Sequence, residues 1–118
     1  MIDNQIQVFL YGDKHVRTQN INGEVWFVAK DVCDILEIQN IRQNIKTLDD
    51  DEKGVCKIYT HGGTQNMTVV SEPGLYKLIF RSNKPEAKEF TRWVTHTLLP
   101  QVHHYGMYLT PSQRDLRT

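Results

Sequence analysis

Two cysteines, five histidines and a scatter of serines are the side chains in this sequence that could act as nucleophiles or soft metal ligands. Their spacing does not assemble them into a catalytic group. Cys33 and Cys56 form no C-x-x-C pair, and a disulfide framework needs more cysteines than two. Both read as small apolar residues in a reducing compartment, with Cys33 on the buried side of a helix, where a thiol is inert. His96, His103 and His104 suggest a metal at first sight. However, two helical turns and Pro100 separate the first from the others, and neither a cysteine nor a nearby carboxylate completes a four-ligand site. His61-Gly62-Gly63 falls in a hairpin and not before a helix, so it is no phosphate loop. No serine sits in a nucleophile elbow. The expectation is a protein that is not an enzyme and needs no metal or cofactor.

The basic residues are arranged more pointedly. From Lys77 to Arg92 the chain carries Lys77, Arg81, Lys84, Lys88 and Arg92 against Glu86 and Glu89. Residues 1 to 37 are the reverse, with Lys14, Arg17 and Lys30 against Asp3, Asp13, Glu24, Asp31, Asp34 and Glu37. Overall, 14 basic side chains balance 14 acidic ones. That excludes a uniformly basic coat for nucleic acid, but a docking face depends on where the charges sit. Lys84, Lys88 and Arg92 recur at i, i+4, i+8, a spacing at which like charges repel on a helix by a few tenths of a kcal/mol each, about 0.2–0.5. Such a stripe is either a solvated face or a face that meets an anion. Arg42 and Lys46, four residues apart, share a second helical face.

The elements that must position these groups are legible from periodicity. QIQVFLY alternates as a strand, with Ile6, Val8 and Leu10 on one side. Gly12-Asp13 offers a turn. HVRTQNI and EVWFV follow around Asn22-Gly23, a strong two-residue hairpin signal. The period then becomes helical over Ala29–Ile38, with Val28, Val32, Ile35 and Leu36 on one face. Asn40 is placed to cap a second helix over Ile41–Leu48, with Ile41, Ile45 and Leu48 inward. That pair faintly resembles a helix-turn-helix, with Glu37 where a turn glycine often sits. Asp49–Glu52 reads as an acidic solvated loop. GVCKIYT and NMTVV form a hairpin around His61–Thr64. Ser71 caps a third helix carrying Leu75, Leu78 and Ile79 on its buried face. Pro85 starts a fourth, whose apolar face is Ala87, Phe90, Val94 and Leu98. Pro100 should kink or break it. Trp26, Trp93, Tyr76, Phe80 and Phe90 all read as core or near-core residues. The order predicts an α+β domain, an antiparallel β-meander and hairpin packed with about four short-to-medium helices, over residues 1–109. Residues 110–118 read as a flexible tail or the start of a linker.

Several blocks in fixed order carry a family resemblance: FVAKDV, SEPGLYKLI and RSNKPEAKEFTRWV…LLP, from about Ile6 to Leu109. Together they resemble the BRO N-terminal domain of phage and prophage antirepressors and of baculovirus repeated-ORF proteins. The resemblance implies a DNA-binding domain of transcription regulators, often followed by a variable C-terminal domain. It also implies roles for Arg42, Arg81, Lys84, Lys88 and Arg92, to which helical spacing adds Lys46. The expected partner is double-stranded DNA, bound in the cytoplasm of a bacterial host. A phage repressor protein is the alternative partner, seized without DNA binding through acidic residues such as Asp31, Asp34 and Asp49–Glu52. Exposed edge strands leave a homodimer open. No apolar run approaches the ~20 residues that span a bilayer, so no membrane partner is expected.

Overall fold

A computed structural model describes residues 6–82 and 84–102 of the chain. Its first three strands are β1 (Ile6–Tyr11), β2 (Lys14–Ile21) and β3 (Glu24–Val28), joined by the two predicted turns. Asn22 and Gly23 both take positive φ, 54° and 87°. That is the geometry whose twist matches a two-residue hairpin. Two helices follow, α1 (Ala29–Leu36) and α2 (Ile41–Lys46). A short 3₁₀ turn, Asp50–Glu52, leads into the hairpin β4 (Lys53–Thr60) and β5 (Gly63–Val70), and then α3 (Glu72–Arg81) and α4 (Glu86–Trp93). The five strands form one antiparallel sheet in the order β1-β2-β3-β5-β4. The predicted α+β class and meander-plus-hairpin arrangement are therefore the observed ones. The domain end near Leu109 and the tail at 110–118 lie outside the described residues.

One face of the sheet holds the main core. Val16, Val25, Phe27 and Val70 meet Val32, Leu36, Leu75, Leu78, Phe90, Val94 and Leu98 from the helices. Each such side chain contributes about 1.5–3 kcal/mol on burial. The other face carries a smaller cluster of Val28, Ile58 and Val69 with Trp26, Cys56 and Met67. Val28 was expected on the apolar face of α1. It instead ends β3 opposite Val69 and points to this second face. Strand β1 has the predicted period, and its two sides divide between the two faces of the sheet. Phe9 and Tyr11 turn to the core, where Tyr11 lies 5.3 Å from Phe90 and 5.0 Å from Trp93 between ring centroids. Leu10 is left 71% exposed. Aromatic side chains bury more area than aliphatic ones, and a one-residue change of side decides for the whole strand.

The ends of the helices follow local chemistry. The Ser71 hydroxyl accepts the Gly74 N–H at 3.3 Å and caps α3 as predicted. Asn40 stands at the start of α2 but makes no side-chain cap; its carbonyl accepts the Asn44 side-chain N–H at 2.8 Å. Pro100 does not break the last helix. Backbone widens into a π turn at Val94–Leu98, where the Leu99 N–H reaches the Val94 carbonyl, and helix resumes over Leu99–Gln101. The wider turn relieves the i→i−4 demand that proline cannot meet. Phe80 also departs from expectation. It sits 89% exposed on α3 because Leu75 and Leu78 take the buried face.

Candidate nucleic-acid interface

The six basic residues expected to meet DNA separate into three places. Lys84 precedes α4 and is not part of its helical stripe; its Nζ lies 3.1 Å from the Glu37 carboxylate. Lys88 and Arg92 remain on the exposed face of α4, make no ion pair among the described residues, and share that helix with Glu86 and Glu89. Arg92 borders a shallow groove with Tyr11, Glu89 and His96. Arg81, at the end of α3, joins Lys84 along a groove walled on the other side by Glu37, Asn40 and Asn44. Arg42 and Lys46 face away from that group. They line a separate groove of about 610 Å³ whose far wall is Lys53 and Thr68 of the β4–β5 hairpin.

This last groove brings together residues that charge counting along one segment misses. Lys53 was not among the expected site residues, nor was Lys57 beyond it on β4. The available signal was negative: no Asp or Glu occurs from Lys53 to Ser71, or from Ile38 to Leu48. Register places the two acid-free segments side by side. Lys53 pairs with Val70, whose side chain is in the helix-side core, so Lys53, Val55, Lys57 and Tyr59 project on the same side as α2. The Lys53 ammonium donates to the Ile45 carbonyl at 3.5 Å, which ties strand to helix. Thr68, opposite Val55, adds a hydroxyl to the wall.

The acids gather elsewhere. Glu24, Asp49, Asp51, Glu52 and Glu72 surround a cavity of about 470 Å³ beside the start of α3. A capping box organises the turn: the Asp49 N–H donates to the Glu52 carboxylate at 2.9 Å. Lys77 donates to the same carboxylate at 2.9 Å. These two hydrogen bonds, Lys77 first, hold Glu52 below its ordinary carboxylate pKa, and the Lys77 ammonium is raised in turn by Glu52. Carboxylate oxygens of Asp49, Asp51 and Glu52 lie within 4.8 Å of one another. Lys77 pairs with two of them, Asp49 and Glu52.

Cys33 is fully buried, and burial pushes its thiol up to about 11, so it is protonated and inert at neutral pH. Both cysteines are free. His96 Nδ1 lies 3.1 Å from the Arg92 carbonyl, a contact within its own helix. His103 and His104 lie outside the described residues. The helix pair α1–α2 is present, and Glu37 takes the left-handed conformation, φ 57°, that a turn glycine would. Among the described residues no helix is long and apolar enough to cross a membrane.

Residues 15–100 match the profile of the BRO family, N-terminal domain. The chain is 43% identical over 121 residues to an uncharacterized protein of Haemophilus influenzae, an alignment that takes in 96% of this chain and 59% of that one. It is 31% identical to the putative Bro-N domain-containing protein 019R of invertebrate iridescent virus 3, over 80% of this chain and 29% of the viral one. A second viral relative, protein 289L of invertebrate iridescent virus 6, is 32% identical over 75% of this chain and 26% of its own length. The chain thus spans less than two thirds of each of these relatives. No solved structure matches it.

Proposed function

Because the chain belongs to the BRO family through its N-terminal domain, we propose that it is the duplex-DNA-binding module of an antirepressor-like transcription regulator. One observation carries the reading. Arg42, Lys46, Lys53, Lys57, Arg81, Lys88 and Arg92 make no ion pair among the described residues, whereas Arg17, Lys30 and Lys77 each meet a carboxylate. A formally neutral protein that leaves these cations without carboxylate partners has charge available for phosphate. The module binds and does not catalyse. Titrating a labelled duplex at several salt concentrations tests this. Four to six phosphate contacts give a log–log slope of about −4 to −5. Binding absent at low salt, or a flat salt dependence, would remove the reading.

A second reading has its own support. The acidic cavity between Glu24, Asp49 and Glu72 presents a carboxylate-rich surface that fits a basic protein. On this reading the domain sequesters a repressor. Capture of a repressor in the presence of nuclease, with no retardation of any duplex, is its expected signature.

A further inference from the structure

Groove walls distinguish the cationic surfaces from one another. The groove beside Arg81 contains Glu37, that beside Arg92 contains Glu89, and that beside α3 is acidic. Of the four grooves described among these residues, the one between α2 and β4 alone lacks a carboxylate. Resting on the DNA-binding reading above, we propose that the duplex backbone lies in this groove, held by Arg42 and Lys46 from the helix and by Lys53 and Lys57 from the strand. The β4–β5 hairpin, not α4, is then the second arm of the interface.

Three observations converge on this arm. First, Arg42 and Lys46 sit at i, i+4 and face Lys53 across the groove, with Lys57 further along the same strand face and no neutralising acid in the groove wall. Lysines on an edge strand blunt unwanted pairing. That role explains Lys53 and Lys57, but it gives no reason for two further cations on the opposite wall. Second, the same strand face exposes Val55 at 68% and Tyr59 at 82%. These side chains contribute almost nothing to the core, and an aromatic beside cations can lie against the sugars of a backbone whose phosphates the cations hold. Third, the hairpin is a two-stranded antiparallel ribbon exposed from His61 to Asn66. A ribbon of this kind fits the width of the major groove, as a helix does. On α4, by contrast, Glu86 and Glu89 lie among the cations, and like charges would be set against phosphate.

The test compares two paired neutralisations in the full chain. Lys53→Gln with Lys57→Gln should reduce the salt slope by about 1.8, at about 0.9 per lost contact, and weaken duplex binding more than about tenfold at 0.1 M salt. Lys88→Gln with Arg92→Gln, on a helix shared with Glu86 and Glu89, should change both quantities by much less. Lys57→Gln alone, at an exposed position, should take about 0.9 from the slope, which guards against a folding effect at Lys53. The reverse pattern, with loss in the α4 variant and none in the hairpin variants, would overturn this inference while leaving DNA binding intact. A wild-type protein that binds no duplex would overturn the underlying reading instead. Displacement of the duplex by poly-glutamate as readily as by unlabelled DNA would reassign the groove to an acidic protein and also overturn the proposal.

Discussion

The Asp31 carboxylate stands where a strand would otherwise continue. β3 ends at Val28, which leaves the Arg17 N–H on β2 without a ladder partner. Asp31, in the first turn of α1, accepts that N–H at 2.9 Å and takes both arms of the Arg17 guanidinium at 2.8 Å. It is only 4% exposed. Removing it strands a half-buried guanidinium and a backbone donor together. Asp31→Ala should therefore cost about 3–5 kcal/mol by denaturant titration. Nothing in the sequence marks this pair, because its members lie in different elements and each resembles any surface charge. Glu37 is the complementary case. The Glu37 N–H bonds to the Asp34 carbonyl at 3.3 Å and the Ile38 N–H to Cys33 at 2.9 Å, a closing motif usually built on glycine. A side chain there is strained by about 1–2 kcal/mol, while its exposed contact with Lys84 contributes little. Glu37→Gly should thus raise the melting temperature slightly. The sequence did indicate this position, as the place where a turn glycine was missing.

At the scale of elements, the acidic loop is a joint and not a solvated spacer. Ser71 N–H donates to the Glu52 carbonyl at 3.0 Å, and Gly74 approaches the same carbonyl so closely that a Cβ would lie 2.8 Å from it. Gly74→Ala should cost about 1–3 kcal/mol, since the obstacle is backbone that cannot swing aside. The pH dependence of this joint has a definite sign. Glu52 titrates below its ordinary 4.5 in the folded state. Its stabilisation is complete above that value and is lost as pH falls through the lower, folded one. Lys77, raised above 10.5, remains charged throughout that range. Wild type and Glu52→Gln should differ in melting temperature at pH 7 and converge in acid; a constant difference would deny Glu52 this role. Strand and helix identities were legible here because period and turn chemistry are local. The joint was not, because DDDE carries the composition of any acidic turn and its lysine partner lies on α3.

Across the whole molecule, what decides legibility is whether a side chain's fate is settled by its own element or by a distant one. Phe90 and Leu78 were readable as core from helical spacing, and they are buried. Phe80 reads as near-core from its type yet is exposed, because Leu75 and Leu78 on the other face of α3 take the contact. Lys53 is not legible as a site residue because its groove exists only once α2 and β4 are brought together, and Lys57 lies beyond it on the same strand face. The same geometry divides the molecule into a stabilising half and a projecting half. Helices cover the meander, while the outer part of the β4–β5 ribbon has few buried apolar neighbours. Stability should be distributed accordingly. Phe90→Ala should cost about 3–5 kcal/mol, whereas Tyr59→Ala should fall within about ±0.5 kcal/mol of wild type. In native-state hydrogen exchange, amides between Tyr59 and Asn66 should open locally and exchange fast, and those of β2 and β3 should exchange only near the global unfolding limit. If Tyr59→Ala instead destabilises as much as a core truncation, the ribbon belongs to the fold and its exposed face is not spare surface. If it leaves stability intact and slow exchange confined to the meander, the ribbon is free to act on something outside the molecule.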